Sequence, residues 1–313
     1  MSAPTTSRGS QAGSDAAAES SPATARAPVA AVVLTHNEER NLPDCLAALA
    51  GWVQELFVVD SGSTDRTVAI AREAGATVYS HPFEHYGAQR NWAIDHLPIT
   101  ASWTLHVDAD ERITPELQES IVAALGDAGA GSERVDGYLV SRRTIFMGRW
   151  IRHGGHYPAW HLRLMRTGAG RCEDRFYDQH FYVTGAVQKL QGDLIDTLTP
   201  DVATFVARHL RWAALEAREH EAPAAAGRIR GRLATDNAIE QRRWLRDWYA
   251  RLPLFFRPTA YFVYRYFVRL GFLDGRAGLV FHVLQGFWFR FLVDALILER
   301  RLRRKEGGSA AKE

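Results

Sequence analysis

The sequence predicts an α/β fold, built on a mostly parallel sheet with helices on both faces. Through the first half of the chain, short apolar runs of the buried-strand type alternate with segments of helical periodicity. Such alternation is typical of β-α-β units, whose crossover helices cover the sheet on both sides. Because 46% of the 313 residues are hydrophobic, the chain can bury a large core.

The first predicted β-α-β unit begins where the composition changes, at Pro28. The apolar run at residues 29–34 predicts a buried strand. Asn41, a helix-capping residue type, precedes a helical pattern. A second apolar strand at residues 56–59 completes the unit and ends at Asp60.

The alternation continues beyond this unit. The expected elements are a helix stopped by Gly75, a strand at 76–79, a helix at 87–96, a strand at 103–107 and a helix opened by Thr114 and Pro115. Past Gly137 the pattern becomes irregular, without clean helix or strand periodicity. A helix is expected again at residues 201–220, and aromatic residues dominate from Pro253 onward.

These patterns divide the chain into five expected regions. They are a disordered tail at 1–27, an α/β domain at 28–200, a helical connector at 201–250, amphipathic interfacial helices at 251–305 and a disordered tail at 306–313. The N-terminal tail has no apolar run, so no signal peptide is expected. The two cysteines, Cys45 and Cys172, have no evident pairing, which favours a reducing, cytoplasmic setting.

The charge pattern bears on possible partners. A formal net charge of +2 is too small to indicate nucleic-acid binding. Basic residues are nevertheless concentrated near the C-terminus, beside apolar segments, where the sequence contains Arg300, Arg301, Arg303, Arg304 and Lys305. Such clusters favour an anionic membrane surface.

Polar side chains follow three of the predicted strands. They are residues 35–38 after the first strand, Asp60 after the second, and Asp108 and Asp110 after the strand at 103–107. Ligands of open parallel sheets bind at the carboxyl ends of the strands, so we expect these side chains to converge.

Asp108 and Asp110 are candidates for a metal site. Two residues apart on an extended segment, they point to the same side. Two such carboxylates can hold a hard divalent cation together with phosphate oxygens, and the cation would stabilise a departing diphosphate. The alternative is a solvated loop or a helix N-terminus, where acidic residues are also favoured.

Several segments resemble known glycosyltransferases. The signature of family 2 glycosyltransferases is similar to residues 31–39 (AVVLTHNEE), 58–65 (VVDSGSTD) and 107–111 (VDADE). The branch with lipopolysaccharide inner-core β-glucosyltransferases and related capsule enzymes is similar to residues 87–91 (GAQRN), 150–158 (WIRHGGHYP) and 270–275 (LGFLDG). The resemblance extends over roughly residues 28 to 299.

The resemblance implies a GT-A domain at residues 28–200 and a nucleotide-sugar donor. By the same resemblance, the expected donor class is a UDP-sugar. Thr35, Asn37 and Glu38 would then line the nucleotide pocket, and Asp60 would hydrogen-bond the base or ribose. Arg90 would face the nucleotide or its diphosphate, a role suited to a guanidinium group. A solvated helix face is the alternative for Arg90.

The resemblance also implies that Asp110 binds the metal, Mg²⁺ or Mn²⁺, and that Asp108 contacts the metal or the ribose. Inverting transfer needs a general base for the acceptor hydroxyl. The family position of that base corresponds to Gln179, which cannot accept a proton. We therefore expect Asp178 to be the base, with Asp174 and Glu173 as alternatives.

Histidines cluster in the irregular region. His153, His156, His161 and Cys172 invite a zinc interpretation, but their spacing matches no compact zinc pattern. A loop that contacts donor phosphates or acceptor is favoured instead, through the cationic donors Arg152, His153, Arg163 and Arg166. A plain surface loop stays open.

The apolar segment at residues 279–298 resembles a membrane span only in its hydrophobicity. It contains His282, Gln285, Arg290 and Asp294, and charges are costly at the centre of a span. Its four-residue spacing puts His, Gly, Arg and Asp on one face, so an amphipathic helix is expected. Together with the aromatic stretch at 255–267, it favours peripheral attachment to the inner face of the cytoplasmic membrane. Packing on the domain core is the alternative.

The sequence thus predicts an inverting glycosyltransferase that acts on a cell-envelope glycan or lipid-linked acceptor, such as lipopolysaccharide core or a capsule precursor. A nicotinamide dehydrogenase is disfavoured because residues 35–40 contain no glycine. A sugar-1-phosphate nucleotidyltransferase would also need a glycine-rich loop there. Gln179 keeps a third hypothesis open, a catalytically inactive nucleotide-sugar-binding module at the membrane.

Overall fold

The computed structural model describes residues 26–126, 134–197, 201–220 and 228–310, without the side chains of 306–310. Nearly all of the predicted N-terminal tail, and residues 311–313, lie outside these ranges. The last helix extends to Ala310, past residue 306, at which the sequence placed the start of a disordered tail.

The described strands form one large sheet and one hairpin. The large sheet contains β1 (Ala27–Thr35), β2 (Val53–Asp60), β3 (Thr77–Ser80), β4 (Trp103–Asp108), β5 (Glu111–Ile113), β6 (Val135–Phe146), β7 (Arg149–Trp150), β8 (Ala159–Arg166) and β11 (Ala186–Thr197). The hairpin consists of β9 (Gly170–Cys172) and β10 (Phe181–Val183). The order in the large sheet is β3-β2-β1-β4-β8-β6-β11-β5, and β7 pairs with β6.

Strand direction divides the sheet in two. From β3 to β4 every pairing is parallel, as the alternating pattern predicted. Beyond β4 the sheet is mixed, because β8 runs antiparallel to both β4 and β6, whereas β11 is parallel to β6. The α/β prediction is confirmed.

The region past Gly137 is regular, contrary to the sequence interpretation. It contains the two twelve-residue strands β6 and β11. Polar residues such as Arg142, Arg143 and Asp196 interrupt the apolar pattern of these strands. Ion pairs between the strands accommodate them, Arg142 with Asp196 and Arg143 with Asp193, so the residues that hid the periodicity are paired within the sheet.

Nine α-helices accompany the described strands. They are α1 (Leu42–Leu49), α2 (Thr67–Glu73), α3 (Tyr86–His96), α4 (Pro115–Gly126), α5 (Val202–Glu219), α6 (Ala238–Ala250), α7 (Phe256–Val263), α8 (Gly275–Phe281) and α9 (Phe289–Ala310). Asp201 caps α5, since its carboxylate accepts from the backbone N–H of Thr204 at 2.7 Å. The side chain of Asn41 instead donates to Glu38.

The core lies on both faces of the sheet, as expected from alternating β1 residues. Ala31 and Val33 pack on one face with α1 and α4. Ala30 and Val32 pack on the other, against the α3 residue Ala93. These β1 side chains are fully buried, so β1 is an interior strand that helices cover on both faces.

The C-terminal helices are connected by irregular turns. A π-helical turn, Tyr264–Val268, follows α7, and a 3₁₀ helix, Gly271–Asp274, precedes α8. A π-helical segment, His282–Trp288, joins α8 to α9. Among the described residues, one helical stretch, Gly271–Lys305, is long and apolar enough to cross a membrane by length and composition alone.

The polar face of this stretch points inward, toward the rest of the protein. His282 and Asp294 are 1% exposed, and the Asp294 carboxylate accepts from Arg257 Nε at 2.7 Å. Arg290 donates to Glu216 of α5 at 2.9 Å. Phe281, expected on the opposite face, is also buried. The ion pairs hold the polar face inside, which leaves apolar side chains outward: Leu279, Val283, Phe291, Leu298 and Leu302.

Candidate active site

The loop after β2 is ordered by the carboxylate of Asp60. Thr35 donates its hydroxyl to Asp60 across the two strand ends, at 3.0 Å. The same carboxylate accepts from the backbone N–H groups of Gly62 and Ser63, at 3.0 and 2.9 Å. Asp60 is 3% exposed, so its carboxylate holds this loop from the buried side.

The loop after β1 is locked to the loop after β2. Asn37 adopts a left-handed conformation with φ 56°, which asparagine tolerates better than most residues. Its side-chain oxygen accepts from the N–H of Thr64 at 2.8 Å. The N–H of Glu38 donates to Thr67 Oγ1 at 2.7 Å. The structure therefore brings Thr35, Asn37, Glu38 and Asp60 together.

Asp108, at the end of β4, is neutralised by two buried arginines. Arg90 Nη2 donates to Oδ1 at 2.7 Å and Arg163 Nη2 donates to Oδ2 at 2.9 Å. Burial alone would raise the pKa of Asp108, but Arg90 and Arg163 hold that pKa well below its usual range. Arg90 is buried, with its guanidinium 5.1 Å from the Phe181 ring centroid, so the alternative of a solvated helix face is wrong.

Asp110 lies in the opposite electrostatic environment. Burial and the negative charges of Asp196, Asp108 and Glu38 raise the pKa of Asp110 to about 7. Arg208 opposes this rise from 3.3 Å. Two aspartates two residues apart thus differ sharply, since one is neutralised and the other adds to an excess of negative charge.

Two further carboxylates at this site were missed from the sequence. Asp196 of β11 pairs in register with Glu111 of β5. Burial, opposed by Arg142, raises the pKa of Asp196 to about 6, and burial raises that of Glu111 to about 7. Asp196 stands near a strand end, which is the signal used for Asp60 and Asp108. It was overlooked because β11 itself was not recognised.

The carboxylates suit a divalent cation only with help from a ligand. Within the ranges that the structure describes, no group of three or more His, Cys, Asp or Glu side chains is arranged to hold a metal. Burial nevertheless raises the pKa values of Asp110 and Asp196 although Arg208 and Arg142 lie beside them, so a bound cation would stabilise their charged forms. Phosphate oxygens would have to complete the coordination shell, as they often do for Mg²⁺.

Of the three base candidates, Glu173 is held within the protein. It is fully buried and forms an ion pair with Arg243. Its carboxylate also accepts from the backbone N–H groups of His180 and Ile229, both at 3.0 Å. These contacts connect the segment before β10 to α6 and leave no side for an acceptor hydroxyl.

Asp178 and Asp174 differ in how they are held. Asp178 pairs with Arg243 at 2.7 Å and with Arg246. Although burial opposes them, these arginines hold the pKa of Asp178 well below its usual range. The side chain of Asp174 is 70% exposed and lies 3.3 Å from His85 Nε2.

The histidine segment contributes mainly structural contacts. His153 Nδ1 lies 2.7 Å from the Asp274 carboxylate, while Cys172 is hydrogen-bonded through its backbone to Asn91. Arg163 reaches the site, but the guanidinium of Arg166 lies over Trp103. The expected cluster of cationic donors is therefore divided between two places.

The parallel strand ends, the ordered loops and the carboxylates define the class of protein. The chain belongs to glycosyl transferase family 2, whose sequence profile matches residues 30–191, or 162 of the 313 residues. Membership of this family confirms the GT-A fold class predicted from the sequence.

Relatives of known name match parts of the chain. It is 31% identical over 151 residues to the lipopolysaccharide core biosynthesis glycosyltransferase LpsC of Rhizobium meliloti, covering 47% of this chain and 53% of that protein. It is 39% identical over 93 residues to an uncharacterized glycosyltransferase of Rickettsia felis, covering 30% and 32%. The matches thus span about half, or a third, of these relatives.

Among solved structures, the mannosyltransferase PcManGT of Pyrobaculum calidifontis, in complex with GDP-Man and Mn²⁺, is similar over 90% of this chain and 88% of that one. The sequence identity is 15% and the TM-score is 0.48.

Proposed function

We propose that the protein is an inverting glycosyltransferase that moves a sugar from a nucleotide-sugar, of the UDP-sugar class, to a cell-envelope glycan or lipid-linked acceptor. The acceptor class includes lipopolysaccharide core and capsule precursors, in line with the name of the LpsC relative. The observation that carries the proposal is the convergence of the loops after β1 and β2 with Asp108 and Asp110 after β4.

The nucleotide binds on the two interlocked loops. Thr35, Asn37 and Glu38 form one wall, and the loop ordered by Asp60 forms the other. Because the Asp60 carboxylate already accepts several hydrogen bonds, its first role is to fix the loop that receives the base or ribose. Arg90 acts on the donor by fixing Asp108.

Asp110, supported by Asp108, would hold Mg²⁺ or Mn²⁺ together with the donor diphosphate. The bound cation would neutralise the negative charge of the departing nucleoside diphosphate. Asp108 is held by Arg90 and Arg163 at 2.7 and 2.9 Å, whereas Asp110 has a longer ion pair with Arg208, at 3.3 Å, so Asp110 is the acid more readily given to the cation. Asp196 reinforces the negative potential at this position.

Asp174 is the strongest candidate for the general base among the three acids. A base has to accept a proton, so its carboxylate needs free lone pairs and access to the acceptor. Asp178 and Glu173 are both committed to Arg243. Asp174 keeps an exposed carboxylate beside His85, at the start of α3.

The exposed apolar turn between α7 and α8 supports peripheral attachment to the inner face of the cytoplasmic membrane. Large apolar side chains of this turn are 44–65% exposed, and they are Val263, Tyr264, Phe267, Val268, Leu270, Phe272 and Leu273. A contiguous exposed apolar surface of this kind marks an interaction site, and the basic end of α9 favours an anionic membrane. The inward polar face of α8 and α9 leaves this surface free.

A donor screen distinguishes an active transferase from a catalytically inactive nucleotide-sugar-binding module, which is the alternative that Gln179 leaves open. Purified protein is incubated with UDP-, GDP- and dTDP-sugars and Mn²⁺ or Mg²⁺, and released nucleoside diphosphate is measured. An active transferase should release nucleoside diphosphate from one donor class in a metal-dependent way, and the Asp174→Asn substitution should lower this release. Donor binding without any release, even with acceptor glycans present, would favour the inactive module.

A further inference from the structure

A group of basic side chains lies between the sheet and the C-terminal helices. It consists of Arg142 of β6, His161 of β8, Arg242 of α6, Arg265 of the turn after α7 and, among them, His156, groups whose charges act on one another; we call it the cationic cluster. Its members come from five separate segments of the chain. The fold therefore brings together three arginines and two histidines that the sequence leaves far apart.

The cationic cluster adjoins the acidic site. Arg142 Nη1 lies 3.4 Å from Asp196 Oδ2, and Asp196 is the carboxylate whose charge most strongly affects Asp110. In the sheet, the nucleotide loops follow β1 and β2, whereas Arg142 and His161 lie on β6 and β8, beyond β4. The cluster is thus on the side of the carboxylates away from Asp60.

Several nitrogen atoms of the cluster lack partners. Nε of Arg142, Nε2 of His161 and both Nε and Nη2 of Arg265 are shielded from solvent and form no hydrogen bond within the part of the chain that the structure describes. The remaining Arg265 nitrogen Nη1 donates to the Tyr261 hydroxyl at 2.6 Å. Because buried donors are normally paired, these atoms point to an acceptor that comes from outside the chain.

The positive charge of the cluster is also only partly compensated. Burial, and then the charges of Arg265, His282, Arg142 and Arg242, lower the pKa of His156 well below its ordinary value. Burial and Arg142 also lower the pKa of Arg242, against Asp178, which is itself paired with Arg243 and Arg246. Arg142 pairs with Asp196, whereas no carboxylate among the described residues forms an ion pair with Arg242 or Arg265.

We propose that the cationic cluster binds an anionic group, a phosphate or a carboxylate, carried by the acceptor saccharide. Guanidinium groups recognise both anions through paired N–H donors, and the free edge of Arg265 offers two of them. Bound there, the anion would place the acceptor next to Asp110 and Asp196. The inference rests on the proposed function only in naming the saccharide an acceptor.

Binding of small anions to the full-length protein tests the proposal. The probes are inorganic phosphate, a hexose 6-phosphate, a hexuronate and the neutral hexose, titrated calorimetrically in EDTA so that no metal contributes. Arg265→Gln and Arg242→Gln are compared with Arg251→Gln, which removes an exposed arginine at the end of α6. Arg265→Lys keeps the charge and removes the planar fork.

The charged sugars are expected to bind the wild type, and the neutral hexose is not. Arg265→Gln and Arg242→Gln should each weaken binding by about tenfold or more, the value of a hydrogen bond to a charged group, while Arg251→Gln leaves it unchanged. Preference for phosphate or for carboxylate identifies the group on the acceptor. Thermal unfolding of each variant checks that the fold is retained.

Three results would overturn the proposal. They are equal binding by Arg265→Gln, Arg242→Gln and Arg251→Gln, no binding of either charged sugar by the wild type, and displacement of the anion by UDP with Mg²⁺. The last would assign the anion to the donor site. Donor binding measured separately on the same samples distinguishes failure of this proposal from failure of the proposed transferase.

Discussion

At the residue scale, Asp108 and Asp110 show how neighbours decide what a carboxylate can do. Asp108 ends β4 and Asp110 follows it, but Asp108 pairs with Arg90 and Arg163, whereas Asp110 pairs with Arg208. The pKa of Asp110 is raised first by burial and then by the negative charges of neighbours such as Asp196 and Glu38. The acid pair can be recognised in the sequence, but its arginine partners cannot, since Arg163 lies 55 residues from Asp108 along the chain.

The same holds for the acids proposed as base. Glu173, Asp174 and Asp178 are close in sequence, and no local pattern shows which one Arg243 will engage. Arg243 lies on α6, far along the chain from these acids, so the pairing depends on tertiary structure. Strand-end acids could be predicted from the sequence, whereas the state of each acid could not.

Glu173→Gln is expected to destabilise the protein by about 1–3 kcal/mol, because an amide nitrogen replaces a buried oxygen that accepts hydrogen bonds, while Arg243 keeps its ion pair with Asp178. Urea unfolding followed by tryptophan fluorescence measures the change. Asp174→Asn is the matched control and should change the free energy of unfolding little, since its side chain is exposed. Equal stability of the two variants would refute the structural role of Glu173.

At the element scale, the N-terminal β-α-β units followed the sequence pattern closely. The predicted strand at 56–59 lies within β2, and the helix at 87–96 matches α3 within one residue. Apolar periodicity was sufficient there because β1 and its neighbours are buried on both faces. β6 and β11 carry arginine and aspartate toward one another, so their periodicity was obscured.

The helices at the C-terminus were found, but their orientation was not. Four-residue spacing correctly put His282, Arg290 and Asp294 on one face. Which face points outward depends on partners elsewhere, and Arg257 and Glu216 draw the polar one inward. Periodicity defines a face without defining its environment.

Asp294→Asn should therefore cost about 3–5 kcal/mol, since it leaves Arg257 buried beside a neutral group between α7 and α9. The double variant Arg257→Met/Asp294→Leu should recover most of this loss, because apolar groups of similar volume often replace a buried ion pair without cost. Thermal and urea unfolding of the two variants compare them. A double variant as unstable as the single one would mean that the ion pair itself is needed for packing.

At the scale of the whole molecule, the chain presents two surfaces for which we have proposed different roles. One is the edge of the sheet where the loops and carboxylates converge. The other is the exposed apolar turn between α7 and α8. In the function proposed above, the cationic cluster binds the acceptor next to the carboxylates of the first surface.

Membrane attachment through the apolar turn is tested with vesicles of anionic phospholipid and full-length protein. Phe267→Ser should weaken vesicle binding by about tenfold or more, from the loss of one inserted aromatic side chain. Phe83→Ser is the matched control, because Phe83 is exposed to a similar extent, 49% against 55%, and lies outside the turn. Equal effects of the two substitutions, or no binding by the wild type, would contradict attachment through this surface.

The most direct test of the account is calorimetric titration of UDP, and in parallel GDP, with and without Mn²⁺. Asp110→Asn is compared with Glu119→Gln, an exposed acid on α4. We expect one of the two nucleotides to bind more tightly with Mn²⁺. Asp110→Asn should weaken this binding by about tenfold or more, while Glu119→Gln should not. Nucleotide binding indifferent to Mn²⁺, or equal in the two variants, would contradict the assignment of Asp110 to the donor site.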